Sequence, residues 1–416
     1  MKEKILVAGG GASGMMAAVL LARKGHSVHV FEQNEKLGKK LYITGKGRCN
    51  LTNACETMEE LMGAVVTNPK FLYSSFYQFD NHQVMDFFEE LGVPLKVERG
   101  GRVFPKSDKS SDVIRALERQ MKKLDVKIHL KSRVEKLLLR KEEASGGQLH
   151  IRGIQLENKT VVEGDRVLVA SGGMSYPSTG ADGSGYRFAR SVGHEVVKPV
   201  PSLVPLLVQE GYVRHLQGLS LRNIQFSIWD DKKCLYREFG ELLFTHQGIS
   251  GPVVLSASAA IGRRLRESPL TGKIDLKPAL SEAQLDARIL REFENNPQKQ
   301  LKNVIGALYP ASLTPVAIRL SGISPGKPVS TVSRQERQRL LEITKAFPMT
   351  IMGAGSFKEA IITKGGISVR EIHPSTMESK LVSGLYFIGE VLDLDAMTGG
   401  FNLQIAWSTA WAAANA

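Results

Sequence analysis

Cysteine is scarce in this 416-residue chain: Cys49, Cys55 and Cys234 are the only three. They are too few for a disulfide scaffold, and no two have the spacing of zinc ligands. The nine histidines include no i, i+4 pair and no His-x-His beside a carboxylate, so no metal site is expected. No apolar run approaches the ~20 residues that cross a bilayer. The segment after Lys2 and Lys4 has the opening charge of a signal peptide, but glycines at 9–14 split it, so a cytoplasmic protein without a membrane partner is expected. The 40 glycines follow no period and aromatics make up only 7%, which excludes collagen-like and solenoid classes. RNA-recognition and KH signatures are missing, and no DNA partner is expected.

What is present is a chain with 42% apolar residues, enough to bury two or three domain cores. Its net charge of +13 favours a polyanionic or acidic partner. The clusters Lys36/Lys39/Lys40, Arg99/Arg102/Lys106/Lys109, Lys122/Lys123/Lys127 and Arg263/Arg264/Arg266 are each equally readable as solvated faces.

The first 35 residues alternate as strand (4–8), turn, helix (12–24) and strand (27–32), a βαβ unit. Helices are expected at 57–66, 82–91 and 110–124, and a β meander over 127–130, 134–140, 149–156 and 160–162. Another strand is expected at 166–170. From about Gly193 prolines and alternating apolar residues take over, with strands at 202–208, 222–229, 234–239 and 241–245 and a helix over 281–295. The α/β pattern returns after Ile362. This predicts a discontinuous nucleotide-binding domain, 1–192 with 362–416, and a β-rich insert over 193–361 with a helical portion. The insert holds 22 Lys/Arg against 15 Asp/Glu, so neither domain owns the basic charge.

Gly9, Gly11 and Gly14 form G-x-G-x-x-G between a strand and a helix. The first glycine permits the tight turn, the second lets backbone approach a pyrophosphate, and the third allows close helix–strand packing. Ala12 and Ser13 complete the helix N-terminus, whose N–H groups and dipole suit phosphate. Glu32, 18 residues after Gly14 at the end of the second strand, is placed to accept ribose hydroxyls. FAD and NAD share this fingerprint. Toward the C-terminus an apolar strand ends in Gly389-Glu390, and Thr398-Gly399-Gly400-Phe401-Asn402 opens a helix at Leu403–Ala414. That arrangement suits an FAD ribityl chain and the pyrimidine edge of a flavin, whose negative charge on reduction a helix N-terminus stabilises. The strand 167–170 running into Ser171-Gly172-Gly173 agrees.

With these motifs the chain resembles the YhiN/BaiN-like bacterial flavoproteins, also labelled NAD(P)/FAD-dependent or aminoacetone-oxidase-like. The likeness extends to Gly45-Lys46-Gly47-Arg48-Cys49-Asn50, to Ser175-Tyr176-Pro177-Ser178-Thr179-Gly180, to Thr245-His246-Gln247-Gly248 and to Thr363-Lys364-Gly365-Gly366. The resemblance implies an α/β fold, a glutathione-reductase-like FAD-binding Rossmann domain interrupted by a β-barrel with helices. It also implies reduction of conjugated double bonds, with enones or uracil in ribosomal RNA as substrates. Lys40, Gly47, Arg48, Asn50, Val134, Gly400, Asn402 and Leu403 join the glycine motifs as candidate FAD contacts. Ser171 and Glu390 stand where the family more often has Thr and Asp, and both keep the polar function.

Three residues are candidates for the proton that accompanies hydride transfer: Cys49, with a thiol lowered by Arg48 or a helix end, Tyr176 and His246. Cys49 and Cys55 also invite comparison with disulfide reductases, but five residues separate them where those enzymes have four, and no second G-x-G-x-x-G follows. NAD(P)H is therefore expected to dock transiently as electron donor. A flavin-holding RNA-binding or assembly factor and an amine oxidase remain as alternatives, and oligomeric state is open.

Overall fold

Five short strands, Lys4–Ala8 (β1), Ser27–Phe31 (β2), Lys127–His129 (β3), Arg166–Val169 (β4) and Leu385–Phe387 (β5), form one parallel sheet in the order β5-β4-β1-β2-β3. Parallel strands are covered on both faces, and so read as unbroken apolar runs such as Ile5-Leu6-Val7. All three of those side chains have no solvent exposure. The helices Ala12–Arg23 (α1) and Phe401–Ala414 (α2) belong to this unit. Both are apolar nearly all round, as suits helices packed on more than one side.

The computed structural model describes residues 2–142, 148–262 and 264–416; Arg263, one of the basic cluster, lies outside them. The chain divides into two compact units, 1–202 with 357–416, and 203–356. These limits differ from the 192/193 and 361/362 breaks suggested by composition. The reason is the strand Val196–Ser202, which pairs antiparallel with Ile362–Ile367 inside the first unit. Pro199 lies in the register shift between Val197 and Val200, where a missing N–H costs no ladder bond.

The expected meander is also corrected. The 127–129 segment is not part of it, because β3 pairs in parallel with β2. Antiparallel pairing joins Val134–Glu142, Gln148–Leu156 and Val161–Glu163, and Val382–Ser383 adds to Gln148–Leu156 in parallel.

In the second unit six antiparallel strands close a barrel: Leu206–Val208, Gly248–Ser250, Lys233–Phe244, Ser220–Asp230, Leu270–Asp275 and Phe347–Ala354. Where alternation suggested strands at 234–239 and 241–245, one strand runs through Gly240, whose added Cβ would come within 2.6 Å of Val253. The helix expected over 281–295 spans Glu282–Glu294. It is fixed by a capping box in which Ser281 Oγ accepts from the Gln284 N–H at 3.2 Å and Gln284 Oε1 accepts from the Ser281 N–H at 2.9 Å.

Phe226, Phe244 and Phe347 fill the barrel interior with almost no exposure. Phe347 meets Tyr212 edge to face at 5.4 Å. Phe347→Ala is expected to destabilise this unit by about 3–5 kcal/mol, read from urea unfolding; a loss below about 1 kcal/mol would show that the barrel does not rest on this ring.

Candidate cofactor and active site

The turn between β1 and α1 is dictated by its glycines. Gly9 has φ +113°, and a Cβ there would lie 2.5 Å from the Ala170 carbonyl oxygen; a Cβ on Gly14 would lie 2.0 Å from that of Gly9. Side chains at these positions would push the helix off the sheet. Gly11 differs, because a Cβ there would meet nothing within 4 Å. Gly11 caps α1 without a side-chain hydrogen bond, and the first turn holds no acid. The N–H groups of Ala12, Ser13 and Gly14 therefore begin a helix whose positive end faces open space, a fitting cradle for a pyrophosphate.

Glu32, 8% exposed, anchors the other side of this turn. Its Oε2 accepts from the Gly10 N–H at 2.8 Å, and its Oε1 accepts from the Asn34 N–H and Nδ2 at 2.8 and 2.6 Å. Asn34 Nδ2 also reaches the Thr179 carbonyl at 3.0 Å, tying the loop after β2 to the loop after β4.

A second centre forms around Glu390. Lys40 Nζ lies 2.6 Å from its Oε2, while Oε1 accepts from Ser175 Oγ at 2.9 Å and the Thr363 N–H at 2.9 Å. Lys40 also donates to Ser175 Oγ. Thr363 Oγ1 in turn accepts from the N–H groups of Met174 and Ser175 at 2.7 and 3.1 Å. Gly173 permits this closeness, since a Cβ there would come within 2.3 Å of Thr363 Oγ1. Ser171 Oγ and the Tyr186 hydroxyl are buried beside this centre with no hydrogen-bond partner among the described residues. Burial, with Glu390 and Asp393 close by, raises the Tyr186 phenol far above its ordinary value. Next to Glu390, Gly389 has φ +74° and would press a Cβ to 2.6 Å from Ser13 Oγ, so the first and last motifs touch.

The loop at 45–50 belongs to the same side of this unit. Asn50, with its amide oriented to satisfy its neighbours, donates to the carbonyls of Val103 and Thr52 at 3.3 and 3.2 Å and accepts from the Gly400 N–H at 3.0 Å. Gly400, φ +103°, is the N-cap of α2, which starts at Phe401 rather than Leu403. A Cβ on Gly400 would lie 2.2 Å from the Thr52 oxygen. Asn402 is engaged locally: its Oδ1 accepts from the Ala396 N–H at 3.0 Å and its Nδ2 donates to the Ala396 carbonyl at 2.9 Å. Leu403 lies in the first turn of α2, and Val134 starts the antiparallel sheet opposite Leu156.

The expectations for Arg48 and Cys49 change here. Arg48 neither lowers the Cys49 thiol nor stands free for a phosphate, because its Nη1 lies 2.9 Å from Glu98 and 3.3 Å from Asp108 and its guanidinium stacks 4.1 Å over Phe104. Cys49 has no exposure, and burial pushes its thiol up to about 12, the opposite of an activated acid. Gly47, at φ +83°, belongs to a run of left-handed residues with Gly45, Lys46 and Cys49 that folds the loop back on itself. Tyr176 is half-buried at φ +53°, and its N–H donates to the Phe357 carbonyl at 3.2 Å. His246 is exposed in the second unit, in the turn where the Thr245 N–H meets the Gly248 carbonyl at 2.8 Å. Contacts thus link the 9–14 turn, Lys40, the 173–175 loop and Gly389-Glu390 within the first unit, while His246 belongs to the second unit.

Sequence reasoning passed over Ser175 and Thr363 as roles, although both stand in the quoted strings. It also passed over the ion pair of Lys364 and Asp395, 3.3 Å apart with 7% and 0% exposure. A lysine inside an apolar strand beside two glycines was the available signal. Among the described residues no three His, Cys, Asp or Glu side chains gather as metal ligands.

Residues 3–416 match the family described as HI0933-like protein Rossmann domain. The chain is 33% identical over 417 aligned positions to a 3-dehydro-bile acid delta(4,6)-reductase of Clostridium scindens, covering 100% of this chain and 98% of the relative. It is 31% identical to a ribosomal RNA dihydrouridine synthase of Haemophilus influenzae, covering 99% and 97%, and 29% identical to one of Escherichia coli, covering 98% and 96%. Among solved structures, the 3-ketosteroid delta1-dehydrogenase of Sterolibacterium denitrificans matches with a TM-score of 0.53 at 12% identity, covering 100% of this chain and 99% of the other. The 3-ketosteroid-delta4-(5alpha)-dehydrogenase of Rhodococcus jostii matches with a TM-score of 0.53 at 14% identity, covering 99% and 97%. These two likenesses concern the fold. No helix among the described residues is long and apolar enough to cross a membrane.

Two outcomes test this geometry. Lys40→Met removes one partner of a half-buried charge pair and is expected to lower stability by about 1–3 kcal/mol in chemical denaturation; an unchanged midpoint would mean that Lys40 does not brace Glu390. Cys49, sealed and held protonated to about pH 12, should resist iodoacetamide at pH 8 until the protein unfolds, and rapid labelling of the folded protein, read by peptide mass, would contradict the burial.

Proposed function

The chain belongs to the HI0933-like Rossmann-domain family and is a flavin-dependent oxidoreductase, and from that premise we propose that it uses FAD to reduce a C=C bond conjugated to a carbonyl. One observation carries the cofactor assignment. Segments far apart in sequence, 9–14, 171–175 and 389–390, converge through Glu390, Ser175 and the Gly389–Ser13 contact, while the approach to Gly11 stays open.

In this reading the N–H groups at 12–14 bind the pyrophosphate, Glu32 takes ribose hydroxyls, and the unpartnered Ser171 Oγ offers a polar contact beside the Glu390 centre. Held there, reduced FAD would supply the hydride for the carbon remote from the substrate carbonyl, and the neighbouring carbon would take its proton from solvent or from the half-buried Tyr176. The N-terminus of α2, with Gly400 as its N-cap and no side-chain cap, would offer positive partial charge to the electron-rich edge of a flavin held nearby. NAD(P)H is the proposed donor, docking transiently because the chain carries one glycine fingerprint.

The names of the relatives support this reaction type. A delta(4,6)-reductase and a dihydrouridine synthase both add two hydrogens across an electron-poor C=C bond. A 3-oxo-steroid enone and uracil in ribosomal RNA are therefore the two substrate classes proposed, both met in the cytosol.

Gly11 has φ −82° and empty space before its Cβ position, so Gly11→Val should leave apoprotein stability within about 0.5 kcal/mol. It should weaken FAD binding by tenfold or more, read from flavin fluorescence, since a side chain there occupies the pyrophosphate cradle; unchanged affinity would place the cofactor elsewhere. The reaction is tested by mixing anaerobically reduced holoprotein with a 3-oxo-4-ene steroid or with ribosomal RNA. Faster flavin oxidation with one of them, with the saturated product seen by mass spectrometry, is expected. Holoprotein that neither substrate reoxidises would overturn the reading.

A further inference from the structure

The hairpin made by Leu95–Glu98 and Arg102–Pro105 is bridged to the turn that opens α2. The connection runs through one side chain: Asn53 Nδ2 donates to the Gly100 carbonyl at the hairpin tip at 2.9 Å and to the Gly399 carbonyl at 3.1 Å. Gly101 makes room for it, since a Cβ there would lie 2.4 Å from Asn53 Oδ1. The hairpin is also joined to the 51–54 segment by backbone. The Leu51 N–H meets Val103 O at 2.9 Å, and the Ala54 N–H meets Gly101 O at 2.6 Å. Asn50, just before that segment, accepts from the Gly400 N–H, and the Thr52 carbonyl packs closely against Gly400. The hairpin is thus indexed rigidly to the turn proposed to face the flavin ring.

Its charge is one-sided. Segment 95–109 contains five basic residues and two acids, Glu98 and Asp108. Both acids are engaged by Arg48 and Lys96: Glu98 by Arg48 at 2.9 Å, and Asp108 by Lys96 at 2.6 Å and Arg48 at 3.3 Å. Arg99, Lys106 and Lys109 are exposed, and Arg102 is 39% exposed with Glu98 only at 3.9 Å. Four cations thus lie on the hairpin and the segment that follows it: Arg99 at the tip, which Asn53 bridges to the Gly399 turn, Arg102 on the second strand, and Lys106 and Lys109 beyond its end. A small steroid has no need of cations spread along such a ribbon. A nucleic-acid strand does, because each neutralised phosphate releases counterions.

We propose that this hairpin is an electropositive arm that binds the phosphate backbone of ribosomal RNA and brings one uracil to the flavin site. The inference rests on the uracil branch of the proposed function. Phosphate contacts hold register while carrying no base information, so the arm positions the strand and the site at α2 selects the base.

The test uses holoprotein and deproteinised ribosomal RNA, with binding measured between 50 and 300 mM KCl. The triple variant Arg99→Gln, Lys106→Gln, Lys109→Gln should lose at least tenfold in affinity at the lower salt. Its plot of log affinity against log salt should flatten by about 2, at roughly 0.7 per phosphate contact on single strands. FAD content and reoxidation by a small enone should be unchanged, which separates a docking role from damage to the fold. A control triple of equal charge, Lys122→Gln, Lys123→Gln, Lys127→Gln, should change the slope by less than half as much. If wild-type protein binds ribosomal RNA but the arm variant keeps its slope, or the control loses as much, the arm is overturned and the uracil reading stands. If wild-type protein shows no salt-dependent RNA binding, both fail together.

Discussion

One carboxylate ties three stretches of the first unit together. Glu390 receives Lys40 from the segment after β2, Ser175 from the loop after β4 and the Thr363 N–H from the strand that resumes after the insert. A half-buried acid is costly unless its lone pairs are met, and here both oxygens are. The geometry around it follows from that demand: Gly173 must be glycine to let Thr363 in, and Gly389 must be glycine to let the strand end lie on Ser13. The larger acid at 390 fits this role, since its longer side chain reaches loops contributed by three stretches of chain.

The second unit depends on a different constraint. Its strands have no other sheet to cover them, so they close into a barrel, which removes edges. Phenylalanines fill the interior, and helices with capping boxes, Glu282–Glu294 and Arg334–Lys345, complete the unit.

The sequence showed most clearly what the backbone requires. Gly9, Gly14 and Gly400 occupy positions where a side chain would collide with a carbonyl or adopt a strained φ, so local spacing alone exposed the turns. The barrel was legible from alternation, although its strand limits were not, because Gly240 reads as a break and is in fact a close packing point. Pairings between distant residues stayed hidden. Nothing in the string around Arg48 announces Glu98 and Asp108, and charge proximity in sequence suggested a lowered Cys49 thiol where burial raises it. Likewise His129 and its neighbours looked like the start of a meander, since a three-residue strand does not say whether its partner runs parallel or antiparallel.

The division of the first unit by an insert also affects how the protein is made. β5, Glu390 and α2 all lie beyond residue 384, so a nascent chain emerging from the ribosome carries the glycine turn long before it carries the residues that meet it at Ser13. Until then β4 is an exposed edge, and Lys40 and Ser175 lack their acceptor. Contacts of such long sequence separation form late and slowly, which makes the segment from Leu385 to Ala414 the step that completes the sheet and gives Lys40 and Ser175 their acceptor.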